Sequence, residues 1–344
     1  MKTLDLRSDT VTRPTPEMTA AMNSAAVGDD VYGEDPTANR LEELGAEILR
    51  KGAALFCPSG TQSNLAALLT HCGRGDEYIV GQQAHTYRYE GGGAAVFGGI
   101  QPQPLNFRPN GTLDLGEVEA NIKRDDFHFA RTRLLCLENT HKGIALPLGY
   151  LEQCREFARE KNLRLHLDGA RLFNAARKLD IDAHTIAGLF DSVSICLSKG
   201  LGAPVGSLLV GEKDFIAEAR RWRKVLGGGM RQIGTIAAAG VYALENNIDR
   251  LSEDQHNAEA LARGLGEVEE IEVIYGDSQT NMLFITLPEP SLASLHVYLR
   301  QRGIIIPGDT SVRLVTHLEI DRRDIDYIIA TFKDFYSAKR SAAG

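Results

Sequence analysis

Lys199 stands at the end of Ser192-Val193-Ser194-Ile195-Cys196-Leu197-Ser198 and opens the glycine-bearing turn Gly200-Leu201-Gly202. Asp168 ends a second apolar run, Leu163-Arg164-Leu165-His166-Leu167, 31 positions earlier. That interval holds one crossover helix, so both side chains can emerge at the same edge of a parallel sheet. An amine and a carboxylate meeting there suit a cofactor with an aldehyde at one end and a basic ring nitrogen at the other. Pyridoxal 5′-phosphate has both, with Lys199 forming the Schiff base and Asp168 keeping the ring nitrogen protonated.

A phosphate site is also legible. Pro58-Ser59-Gly60-Thr61 follows the strand-like run Ala54-Leu55-Phe56-Cys57 and opens a helical pattern reaching His71. A helix N-terminus offers unpaired N–H groups and the positive end of the dipole. Gly60 lets the backbone approach an anion and Thr61 adds a hydroxyl, although Ser59 as a plain N-cap explains the same residues. The loop has no Walker lysine, which argues against nucleotide chemistry. His85, just after the run at residues 78–81, is placed to stack on a pyridine ring or to move protons. His166 alternates with Asp168, but no second histidine cluster supports a metal, and a satisfied sheet histidine is expected. Arg7, Arg171 and Arg313 are candidate carboxylate forks.

The elements that must carry these groups alternate. Strand-like runs at 54–57, 78–80, 134–137, 163–167, 192–197 and 206–210 are separated by helical patterns such as 151–161 and 170–178. This order predicts an α/β fold with a mostly parallel sheet of the seven-stranded type and helices on both faces. Helices are expected at 36–50, 212–224 and 230–267, the last broken near Asn246-Asn247. Beyond residue 250, shorter strands mix with helices at 291–301 and 321–336. The expected division is therefore a large cofactor domain over 1–250, including the N-terminal segment, and a small α+β domain over 251–344.

The chain has 344 residues, 43% of them hydrophobic, and a formal net charge of −8 without a basic run. That balance excludes nucleic acid and anionic membrane as expected partners. Five cysteines without C-x-x-C spacing predict buried thiols in a reducing compartment. With no apolar run near the ~20 residues that span a bilayer, and no apolar core at the N-terminus, a cytoplasmic location is expected.

Together these pieces resemble the pyridoxal-phosphate enzymes of the aspartate-aminotransferase-like fold (fold type I), and more narrowly the low-specificity L-threonine aldolases. The likeness is carried by residues 5–14, Val27-Gly28-Asp29-Asp30-Val31-Tyr32-Gly33, residues 165–174 and residues 194–206. Gly227-Gly228-Gly229-Met230-Arg231-Gln232 and residues 313–317 agree as well, while 286–312 departs. The resemblance implies Lys199 as the Schiff-base lysine, Asp168 as the partner of the ring nitrogen, His85 as the stacking histidine, and Ser59, Gly60 and Thr61 around the phosphate. It implies Ser8, Arg171 and Arg313 on the substrate carboxylate, and His128 near the substrate hydroxyl. Arg231, with Lys224, would reach the phosphate from a neighbouring subunit of a homotetramer built as a dimer of dimers. The implied reaction is retro-aldol cleavage of β-hydroxy-α-amino acids to glycine and an aldehyde. Either His85 or His128, or a water held by one of them, would serve as base. Other lyase or transferase reactions on the same scaffold, β-elimination and hydroxymethyl transfer, stand as the alternatives.

Overall fold

The computed structural model describes residues 2–343, which form two compact units. The larger spans Pro14–Ile248 and is built on a seven-stranded sheet. Its strands lie in the order Ala53–Cys57, Ser207–Gly211, Ser192–Cys196, Arg164–Asp168, Arg131–Glu138, Asp76–Gly81, Gln101–Leu105. All neighbouring pairs are parallel except the two made by Ser207–Gly211. The expected mostly parallel seven-stranded sheet is present. Its central strands are buried on both faces, which is why they read as continuous apolar runs.

One strand escapes the sequence pattern. Gln101–Leu105 contains Pro102 and Pro104, which remove ladder donors and argue against a strand. It is tolerated because it lies at the sheet edge, paired on one side only with Asp76–Gly81.

The helix Gly60–His71 is buried from Ser63 through Leu69. It lies over the sheet and beneath the helix Lys213–Val225; Leu55, Ala66, Ala67, Leu209, Ile216 and Ala219 form one apolar cluster. A helix buried on every side has little freedom to rotate or slide, so its N-terminus is a fixed point. Asp35 helps fix the helix Pro36–Leu49. It caps that helix through Thr37 N and Ala38 N and also accepts from Gly234 N at 2.8 Å.

The second unit joins the segment ending at Arg13 to the segment beginning at Asp249. This corrects the expectation that the N-terminal segment belongs with the large domain. Leu4–Asp5 pairs in parallel with Ile304–Ile305, and Leu4 and Leu6 enter the apolar core of this unit. An antiparallel sheet of Glu272–Ile274, Met282–Thr286 and Ser311–Val315 is packed by helices Leu251–Leu265, Glu289–Gln301 and Arg322–Ala343. Alternation sets the faces: Val312 and Leu314 are buried, whereas Ser311 and Arg313 are exposed. Among the described residues, no helix is long and apolar enough to cross a membrane.

Candidate active site

Asp168 is the last residue of its strand, in register with Glu138 on one side and Ser194 on the other. The chain then turns through Gly169, and Ala170 N donates to Asp168 Oδ1 at 3.1 Å. Lys199 follows the next strand in the sheet, Ser192–Cys196, in a turn closed by Gly202 N donating to Lys199 O at 2.8 Å. Both line one cavity of about 230 Å³, together with Ser59, Gly60, Thr61 and His85. Four regions singled out in the sequence therefore converge at the C-terminal edge of the parallel strands, where such sheets take their ligands.

At one end of the cavity, Ser59 is the N-cap of Gly60–His71 and its hydroxyl accepts from Gln62 N at 3.1 Å. The N–H groups of Gly60 and Thr61 have no carbonyl of their own helix to bond. A Cβ at position 60 would stand 2.9 Å from Cys196 Sγ. Glycine thus opens the backbone of this turn toward the cavity. Gly228 lies against the same turn, since a Cβ there would fall 1.9 Å from Gln62 Oε1. The glycine loop between Lys224 and Arg231 therefore borders the helix N-terminus within one chain.

Asn64, one turn along that helix, donates through Nδ2 to Asp168 Oδ2 and to Glu90 Oε1, both at 2.9 Å. Glu90 Oε1 also meets His85 Nδ1 at 2.8 Å. Burial raises the Glu90 carboxyl above the ordinary glutamate range. The hydrogen bond to Glu90 raises His85, and the charge of Asp168 adds to it. His85 N donates to Glu138 Oε2 at 2.7 Å, and Glu138 Oε1 holds His141 Nδ1 at 2.8 Å. His141 in turn stacks on Phe107 with ring centres 3.8 Å apart. His85 is thus held at both its backbone and its ring.

Behind Asn64, its Oδ1 lies 3.2 Å from His166 Nε2, and His166 Nδ1 lies 2.8 Å from Ser192 Oγ. Ser192 Oγ is also 2.7 Å from His71 Nε2. Burial pushes both histidines down to about 3, so both are neutral in the fold.

These groups fit pyridoxal phosphate: a lysine amine, a buried carboxylate and free N–H groups at a glycine turn share one cavity. The carboxylates and His85 also have oxygen and nitrogen atoms within 4.8 Å of one another, a spacing that could hold a metal. Asn64 already bridges the two acids as a donor, which answers their charge without an ion.

The amino-acid sequence matches the family described as beta-eliminating lyase over residues 5–288. It is 54% identical over 332 residues to the low specificity L-threonine aldolase of Escherichia coli (strain K12), covering 96% of this chain and 99% of that protein. The chain belongs to the low-specificity L-threonine aldolases. Low-specificity L-threonine aldolase 1 of Arabidopsis thaliana is 45% identical over 344 residues, covering 97% of this chain and 96% of its own. The fold is shared with Leishmania major threonine aldolase, at a TM-score of 0.82 and 23% identity over 96% of this chain and 99% of that one.

The other residues implied by this aldolase likeness are not among those lining that cavity. His128 sits on a surface loop between Phe127 and Phe129, its side chain 64% exposed and bound to Asp126 at 2.6 Å. It does not line the cavity. Arg171 is half-buried immediately before the helix Leu172–Leu179. Arg231 and Lys224 are exposed, and Arg231 Nη1 pairs with Asp29 Oδ2 at 2.9 Å. Within the second unit, Arg313 Nη2 donates to Arg7 O at 3.1 Å, which brings it beside Ser8; Ser8 Oγ caps the turn at Thr10 N. Asn64, Glu90 and Glu138 hold Asp168 and His85, although nothing in their local sequence marks them as site residues.

Proposed function

We propose that this protein cleaves L-threonine, L-allo-threonine and related β-hydroxy-α-amino acids to glycine and an aldehyde, with pyridoxal 5′-phosphate as cofactor. The observation that supports it is the convergence of Lys199, Asp168, His85 and the N-terminus of Gly60–His71 on one cavity. When bound, the cofactor supplies an aldehyde for an amine and an electron-poor ring that accepts the electron pair left when the Cα–Cβ bond breaks.

The chain's own residues do the rest. Lys199 would hold the cofactor through its Nζ at the aldehyde end, the place where a substrate amine would also bind. Asp168, buried and held by Asn64 and Ala170 N, presents a fixed carboxylate that keeps the ring nitrogen protonated. Ser59, Gly60 and Thr61 receive the phosphate with backbone N–H groups and hydroxyls. His85 takes the β-hydroxyl proton at Nε2, because its Nδ1 is engaged by Glu90. Between the two histidines considered as base, position supports His85, and we assign His128 no step. Ser8, Arg171 and Arg313 serve the substrate carboxylate; for Ser8 and Arg313 the support is family likeness and their adjacency in one unit. Holding the carboxylate selects which bond at Cα stands perpendicular to the ring, and so which one breaks.

The protein acts as a homotetramer in which Lys224 and Arg231 reach a neighbouring subunit's phosphate. Their exposure in the single chain supports that reading. Five free, buried cysteines support a cytoplasmic setting. The test is incubation with L-allo-threonine, with release of glycine and acetaldehyde as the expected result. Ammonia and a keto acid without glycine would overturn it in favour of β-elimination.

A further inference from the structure

We propose that Glu90 is a positioning residue that fixes His85 as an Nδ1-protonated base, and that Asn64 ties this pair to Asp168 so that the two proton sites answer to each other. The inference rests on the proposed reaction only in naming the proton that His85 receives.

Each hydrogen bond in the series has a fixed direction. An amide nitrogen only donates, and Asn64 Nδ2 has two hydrogens for its two contacts, Asp168 Oδ2 and Glu90 Oε1. Its Oδ1 must then accept, so His166 Nε2 carries a hydrogen. His166 is neutral in the fold, so its Nδ1 is bare and accepts from the Ser192 hydroxyl. The Ser192 oxygen is left to accept from His71 Nε2. Every donor in the series points toward the two carboxylates, and reversing any one link would leave two donors or two acceptors facing each other.

This polarity decides where the proton of the Glu90–His85 pair resides. Glu90 Oε1 already accepts from Asn64, which disfavours a hydrogen on that oxygen, so the hydrogen between Glu90 and His85 belongs to Nδ1. His85 Nε2 is then the bare nitrogen, and the nearby anion makes it more basic. The groups facing His85 are Glu90, Asp168 and Lys199, with Glu138 on its backbone N–H. The two acids raise its proton affinity and Lys199 lowers it. Glu90 is the largest influence and the one that touches the ring. Because Asn64 shares one nitrogen between two buried acids, a change of charge on Asp168 is felt at Glu90 and passed on to His85.

Glu90→Gln separates charge from shape. Both contacts of Glu90 go to one oxygen, so an amide oxygen in that place keeps both hydrogen bonds and loses only the charge. Two measurements on the purified protein read the result. One is the rate of diethyl pyrocarbonate modification of the His85 peptide against pH, followed by mass spectrometry. The other is the acidic limb of kcat/KM against pH. In the wild type both midpoints should lie above the ordinary histidine value of about 6.5. In Glu90→Gln both should fall together by about one pH unit or more. Asn64→Leu, which removes the bridging donor without touching His85, should also lower the modification midpoint. Midpoints unmoved in Glu90→Gln, with the protein folded by thermal melt, would overturn the proposal. A wild type that releases no aldehyde would count against the threonine reading alone, since the modification titration needs no turnover.

Discussion

Replacing Arg223 with methionine should destabilise the larger unit by about 3–5 kcal/mol, the usual cost of stranding one member of a buried ion pair. The magnitude follows from what Arg223 holds. Its Nη2 lies 2.7 Å from Asp30 Oδ2 and its Nη1 donates to Phe56 O at 2.7 Å, with Glu42 Oε1 4.0 Å away. Both Arg223 and Asp30 are buried, so the methionine variant leaves a carboxylate without its counter-ion and without water. Glu42 keeps a second partner in Arg220 at 2.5 Å, so the loss concentrates on Asp30 and the Phe56 carbonyl. The consequence reaches the site. Gly228 N donates to Arg223 O at 2.8 Å, and Asp30 N donates to Arg231 O at 3.1 Å, so this pair braces both ends of the glycine loop beside the N-terminus of Gly60–His71. Urea unfolding followed through Trp222, the single tryptophan, should show a midpoint lower by on the order of 1 M. Adding Asp30→Asn to the methionine variant should recover part of the loss, because the stranded charge is gone. An Arg223→Met protein within about 1 kcal/mol of wild type, or an Asp30→Asn change that adds its full cost, would refute the reasoning.

The relay histidines set an acid limit. Burial lowers His71 and His166 from about 6.5 to about 3, so each favours folding above its unfolded value and loses that contribution as pH falls from 6.5 toward 3. Between pH 7 and pH 5 the cost should be about 2 kcal/mol for each, read as a lower urea midpoint; a midpoint independent of pH in that range would contradict the buried, neutral assignment. Gly60→Ala places a Cβ 2.9 Å from Cys196 Sγ at the phosphate turn and should weaken cofactor retention about tenfold, the worth of one charge-assisted hydrogen bond. Gly276→Ala, whose Cβ meets no atom within 4 Å, should leave retention unchanged. Equal retention in both variants would remove Gly60 from the phosphate site.

What the sequence disclosed and what it hid divide along physical lines. Asp168, Lys199 and the Ser59–Thr61 turn were legible because each interrupts an apolar run with a group that burial alone does not explain. The seven-stranded sheet is legible because its central strands are apolar runs buried on both faces, apart from Gln101–Leu105, where prolines acceptable only at an edge hide the strand. Asn64 looks like any polar residue in the first turns of a helix, and Glu90 sits among tyrosines and glycines that suggest a solvated loop. Their roles depend on how the helix Gly60–His71 lies over the sheet, which periodicity does not encode. His166 is the satisfied sheet histidine that its alternation with Asp168 suggests, but its partner Asn64 lies 102 positions away. The grouping of the N-terminal segment with the C-terminal unit rests on a strand of two residues, too short to carry any pattern.

The proposed chemistry requires Lys199 to be the amine that meets the cofactor aldehyde beside Asp168. Borohydride reduction of the purified protein, followed by peptide mapping, tests this directly. A pyridoxyl group is expected on the peptide containing Lys199, and none in Lys199→Ala. A pyridoxyl group on another lysine, or a wild-type protein that yields none when saturated with pyridoxal 5′-phosphate, would contradict it.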